Sequence, residues 1–279
     1  MNEELREKVV VVTGGASGLG AAMGHVFAAA GASIAVLDIA EEGARSTADA
    51  IAMRHGVKTL AVRVNVGNAA NLLVAAEKVA SEFGGCDVLC ANVGVQQFGS
   101  IDRLTDDDWR FVLDTNVLGT IRTVRAFLPL LRSRSGYRRV VLTASLSVLA
   151  PAVRMAAYQT SKFAVMGFGE TLRYELAPEN IGVSILFPGG MVTNHLQSSV
   201  DARPAELKET GGEDEDLIVM LAHRPVGPDD VVDPEHAIRN LLTGLAANEP
   251  YIVTHGTIRD DYTERHQWMA AAIDRMEQT

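Results

Sequence analysis

The chain has 279 residues, is 47% hydrophobic and carries a formal net charge of -10, with 35 acidic against 25 basic side chains. That length buries a large core without disulfides. The acidic excess excludes a nucleic-acid surface, which needs clustered positive charge, and no apolar run approaches the ~18 residues of a membrane span.

The start of the chain, Met1 to Lys8, is charged and lacks the apolar core of a signal peptide. Residues 8–13 are nearly continuous valine and read as a strand buried on both faces, the mark of a parallel sheet. A small-residue helix follows at 18–30, then a buried strand at 33–37 ending on Asp38, and a helix at 41–55. A third strand is predicted at 58–64, a third helix at 68–83 and a fourth strand at 86–91. The two cysteines, Cys86 and Cys90, fall in that last strand. Four residues along a strand is roughly 13 Å, too far to share a metal, so both are expected as core thiols and no metal is expected. Their scarcity fits a reducing compartment, and a cytoplasmic location is expected.

Further on, 105–132 reads as one long helix, with Asp106, Asp107 and Asp108 at its positive end. A strand at 138–143, a helix at 157–176, a strand at 181–187 and a last strand at 251–254 complete the pattern. This alternation predicts a single α/β domain over 1–279: a doubly wound parallel sheet of about seven strands with helices on both faces. Residues 198–235 break the pattern. They read as a mobile insertion over the substrate at one end of the sheet, with the acidic run at 211–216 a solvated surface. Residues 256–279 read as a charged helical tail.

Between the first strand and the first helix runs Thr13-Gly14-Gly15-Ala16-Ser17-Gly18-Leu19-Gly20. Gly14 allows a tight turn, Gly18 the close approach of a pyrophosphate, and Gly20 the packing of helix on sheet. The amides around Ser17, Gly18 and Leu19 face the phosphates at a helix N-terminus, as in a Rossmann-like dinucleotide site. Asp38 stands where a doubly wound sheet reaches the adenosine ribose. A carboxylate there accepts from both ribose hydroxyls and repels a 2′-phosphate, so NAD is the expected cofactor. Its bland alternative is a cap on the next helix.

Tyr158 and Lys162 lie four residues apart and share a helix face. A free phenol titrates near ~10, and an adjacent ammonium favours the phenolate. A phenol so placed serves as general base in alcohol oxidation and general acid in ketone reduction.

The turn spacing together with Tyr158-x-x-x-Lys162 resembles the short-chain dehydrogenase/reductase family in its ordinary, non-extended form. Asn92-Val93-Gly94, Asn116, Ser145 and Pro188-Gly189-x-x-x-Thr193 match further positions of that family. Two departures stand out. Asn65, before Val66, replaces an aspartate, and Val93 replaces an alanine. The resemblance implies a catalytic set of Asn116, Ser145, Tyr158 and Lys162. In it Ser145 donates to the substrate oxygen, Lys162 also holds the nicotinamide ribose, and Asn116 ties a water chain to the lysine. It implies cofactor contacts at Asn65, Val66, Asn92, Gly94, Pro188, Gly189 and Thr193. It also implies a homodimer or homotetramer, joined through the helices at 105–132 and 157–176.

Beyond the strand ends lie Gln96, Phe98, Leu146, Val153, Met191 and His195, a mainly apolar lining. A hydrophobic secondary alcohol or ketone is the expected partner. His195 reads equally as a substrate contact or a loop histidine. The rival readings are an NADPH-dependent ketoacyl-type reductase, disfavoured by Asp38 and the acidic surface, and a dinucleotide-binding regulator without turnover, which has no need of the Asn116–Lys162 set.

Overall fold

A computed structural model describes residues 2–207, 214–223, 227 and 230–277. After a short helix α1 (Asn2–Leu5), the chain runs β1 (Val9–Thr13), α2 (Gly18–Ala29), β2 (Ser33–Asp38), α3 (Glu41–His55), β3 (Thr59–Arg63), α4 (Ala69–Phe83) and β4 (Val88–Ala91). It continues through α5 (Asp106–Leu113), α6 (Gly119–Arg132), β5 (Arg139–Thr143), α7 (Ala156–Leu176) and β6 (Gly182–Phe187). The remaining elements are β7 (Gly190–Met191), α8 (His195–Asp201), α9 (Asp214–His223), β8 (Val231–Val232), α10 (Pro234–Ala237), α11 (Leu241–Ala246), β9 (Tyr251–Val253) and α12 (Arg259–Glu277).

Seven strands form one parallel sheet in the order β3-β2-β1-β4-β5-β6-β9. The order reverses between β1 and β4, so a crevice opens at their carboxyl ends. Each strand of the centre is buried on both faces, which is why its sequence is unbroken Val, Leu and Ile. Val9, Val11, Leu89, Val140 and Leu142 face α4, α6 and α7. Val10, Val12, Val88, Cys90 and Val141 face α2, α3 and α11. Both cysteines are fully buried, and burial pushes their thiols up, so they are inert core groups.

The expected helix at 105–132 is interrupted. Thr105 caps α5 in a reciprocal capping box with Asp108. The backbone then widens into a π turn over Asp114–Leu118 before α6 resumes. Gly119 sits against Val66, where a Cβ would come within 2.8 Å of Val66 Cγ2. Such wide turns recur at functional sites, and here the turn carries Asn116.

The segment 198–235 is not a featureless insertion in its described part. It holds the end of α8, α9 and β8, and β8 pairs with β7 in a two-stranded parallel sheet. Of the acidic run, 211–213 lie outside the described residues. Asp216, expected as solvated, is buried at 3% exposure against two arginines. The C-terminal segment is helical over Arg259–Glu277, and none of α12 is buried. No helix among the described residues is long and apolar enough to cross a membrane.

Candidate active site

The glycine turn closes β1 onto α2. Gly14 and Gly18 take φ of 66° and 51°, the left-handed region that glycine enters without strain. At Gly20 a Cβ would lie 2.0 Å from the Gly14 carbonyl oxygen. Ser17 is the N-cap of α2, yet its side chain makes no capping bond. The first turn of α2 therefore directs its amides outward with no side-chain acceptor, which suits a pyrophosphate. Leu19 turns inward to the core.

Asp38 faces this turn. Its Oδ2 accepts from Ala16 N at 3.0 Å and its Oδ1 from Ala40 N at 3.0 Å. The carboxylate thus locks the glycine turn to the end of β2 and keeps lone pairs for a diol. It also touches the backbone leading into α3, although no side chain caps that helix. Asn65 Oδ1 accepts from Gly67 N, and Val66 is buried. Asn92 is a brace: its Nδ2 donates to Thr13 O, its backbone N donates to Thr13 Oγ1, and its Oδ1 accepts from Thr143 Oγ1. Thr193 packs against Gly18, while Pro188 O and Gly189 N bond Leu146 N and Thr254 Oγ1.

Tyr158 and Lys162 project from α7 to the end of β5. The Lys162 ammonium stands 5.7 Å from the centre of the Tyr158 ring and donates to Thr143 O at 2.9 Å. Both side chains are buried. Burial lowers the Lys162 amine to about 8. Burial also raises the Tyr158 phenol, and a hydrogen bond with Ser145 pulls it back in part. The sequence led us to expect a phenol already acidified by the lysine. In the protein alone desolvation outweighs any such pull. Ser145 begins a short 3-10 turn, and its Oγ accepts from Ser147 N and from Ser147 Oγ at 3.0 Å.

Asn116 is fully buried in the π turn. Its Oδ1 accepts from Val95 N at 2.7 Å, and its Nδ2 donates to Val95 O and to Ser161 Oγ. Both amide protons are used, so the side chain clamps Val95 and Ser161 in place. Ser161, between Tyr158 and Lys162, was missed from the sequence. It ties Asn116 to Tyr158 O, and nothing but its place inside the motif hints at this.

His195 opens α8 beside Lys162. Burial and that ammonium hold its imidazole down at about 4, so it is neutral near pH 7. Ser199 Oγ donates to His195 O and accepts from Gln96 N, fixing two expected substrate residues to one another. Phe98 is half-buried and Val153 exposed. Leu146 abuts Gly256 of the C-terminal segment. Met191, in β7, is half-buried and packs in part against the core layer under α2 and α11.

Comparison with known proteins agrees with this geometry. A model of the short chain dehydrogenase family matches residues 8–204. The probable oxidoreductase EphD of Mycobacterium tuberculosis is 32% identical over 228 residues, 81% of this chain but 38% of EphD, so the chain spans well under half of that relative. The C alpha-dehydrogenase of a Sphingobium species is 27% identical over 99% of this chain and 89% of its own. A short chain dehydrogenase/reductase from Burkholderia phymatum, solved in complex with NAD, superposes with a TM-score of 0.87 at 27% identity, covering 96% of each chain. With its seven-stranded parallel sheet, glycine turn and Tyr158–Lys162 pair, the chain belongs to the short-chain dehydrogenase/reductase family of oxidoreductases.

Proposed function

We propose that the protein moves a hydride between NAD(H) and the carbinol carbon of a hydrophobic secondary alcohol, or its ketone. The observation that best supports this is the cluster of Ser145, Tyr158 and Lys162 at the carboxyl end of β5, beside the turn of Gly14, Gly18 and Gly20. The bound nicotinamide supplies the hydride site and, when oxidised, a positive charge that favours a phenolate.

The rest is the work of this chain. Tyr158 takes the hydroxyl proton in oxidation and returns it in reduction. Ser145 donates to the substrate oxygen as charge develops there. Lys162 steadies the phenolate and, with Thr143, shapes the ribose side of the crevice. Asn116 positions Lys162 and Tyr158 through Val95 and Ser161. Asp38 accepts from the adenosine ribose, and its charge disfavours a 2′-phosphate, which favours NAD over NADP. Gln96, Phe98, Leu146, Val153 and His195 border the substrate, with 198–235 as its cover. We place the enzyme in the cytoplasm as a homodimer or homotetramer.

The test is a screen of cyclic and benzylic alcohols with NAD, and of ketones with NADH, reading NADH absorbance. Turnover with NAD exceeding that with NADP is expected. Tyr158→Phe should lower kcat by about 10²–10⁴ with NADH affinity retained; normal turnover by that variant would end the assignment.

A further inference from the structure

Beside the Gln96–Ser199 bond and the β7–β8 pairing, three anchors that rest on an aspartate hold the described parts of 198–235 to the body. Arg203, after α8, bonds Asp108 of α5 at 3.0 Å, with both side chains buried. Asp230 accepts from Thr257 N and Thr257 Oγ1 of the C-terminal segment. Between them, Asp216 of α9 faces Arg154 at 3.2 Å and Arg103 at 3.9 Å. These two arginines belong to different loops. Arg103 follows β4, on the stretch that carries Gln96 and Phe98. Arg154 lies four residues before Tyr158, held at a φ of 64°. The loops are joined to each other, since Gly99 N donates to Arg154 O at 2.8 Å.

We propose that Asp216 is a positioning residue that clasps α9 over the substrate crevice by pairing with Arg154 and Arg103, and that release of this pair admits substrate and frees product. The proposal rests on the reading that this segment covers the substrate. The three anchors differ in how easily they part. Arg203 and Asp108 are both out of water, and separating them strands a buried charge. Arg154 and Arg103 are a third or more exposed at their side chains, while Asp216 is buried. On opening, one buried carboxylate must be rehydrated while both arginine side chains already reach water in part, so this contact parts more easily than the one between Arg203 and Asp108. It is also the one nearest Tyr158 in the chain. Closure therefore brings the wall at Gln96–Phe98 and the approach to Tyr158 together under one helix.

The experiment has two arms. Hydrogen exchange of the α9 amides, in the full chain with NADH bound, is compared for the wild type, Asp216→Asn and Asp216→Glu. Asp216→Asn should speed exchange over 214–223 by about tenfold, Asp216→Glu should restore most protection, and about 0.5 M NaCl should loosen the wild type far more than the Asn variant. With an alcohol found in the screen, Asp216→Asn should raise KM several-fold while kcat holds or rises, with NADH affinity unchanged. Equal exchange in wild type and Asp216→Asn would overturn the clasp, and this arm needs no turnover. Faster exchange with KM unmoved would overturn its role over substrate.

Discussion

A methyl group on Gly94 would lie 2.8 Å from the Lys162 ammonium and 3.6 Å from Asn116 Oδ1. The bare backbone at 94 is what lets the lysine reach the end of β5. The ammonium ends a flexible stem, so Gly94→Ala should fold with little loss while moving the charge. We expect a melting temperature within a few degrees of wild type and a kcat about tenfold lower or more. A large fall in melting temperature with kcat intact would mark Gly94 as packing alone.

Lys162 lies under a stability penalty. An unfolded lysine holds its proton to about 10.5, the folded one to about 8. Between those values the unfolded chain binds more protons, so stability rises with pH across that window, and the penalty is full below it. It amounts to about 3 kcal/mol at pH 7, against about 1 kcal/mol for the bond to Thr143 O. Lys162→Met should therefore be more stable than wild type at pH 7 by about 2 kcal/mol and inactive, with the gap narrowing towards pH 9.5. Urea titrations at both pH values check this.

His195 sets an acid limit. Its imidazole falls from 6.5 unfolded to about 4 folded. The folded chain binds fewer protons between these values, so the contribution is whole above 6.5 and is lost as pH falls towards 4. At pH 5 the loss is about 2 kcal/mol. His195→Gln should lose less stability than wild type between pH 7 and pH 5, read from urea midpoints.

Asn116→Asp keeps the shape but removes the donors to Val95 O and Ser161 Oγ. An unpaired buried acceptor costs about 1–3 kcal/mol, more for a charged group. We expect a melting temperature at least about 5 °C lower and a reduced kcat even where the fold persists. Asn116→Ala should be less harmful than Asn116→Asp, since it buries no charge. Thermal melts of the two variants side by side decide the order.

Much of this was legible because local chemistry and global fold agree. Valines buried on both faces allow only a central parallel strand, and Gly20 can be nothing larger beneath the Gly14 carbonyl. The spacing of Ser145, Tyr158 and Lys162 brings the three together at the carboxyl end of β5. The state of the phenol was not legible, because desolvation depends on everything packed around Tyr158 and not on the lysine alone. Asp216 was misread for a related reason. Its neighbours in sequence are acidic and mark a wet surface, whereas its partners, Arg103 and Arg154, lie over 60 residues away. Nothing in its place in the chain reveals that Asn116 grips Val95; only its hydrogen bonds do.

The wide turn at Asp114–Leu118 holds one residue more than an α turn would. Removing one residue there would let the helix close into ordinary α geometry with the later side chains of α6 still in phase. Val124, Phe127 and Leu131 would keep the layer they fill beneath β4 and β5, while Asn116 would lose its seat against Val95 and Ser161. A shortened stretch would thus be felt at the site and hardly at all in the helix that follows.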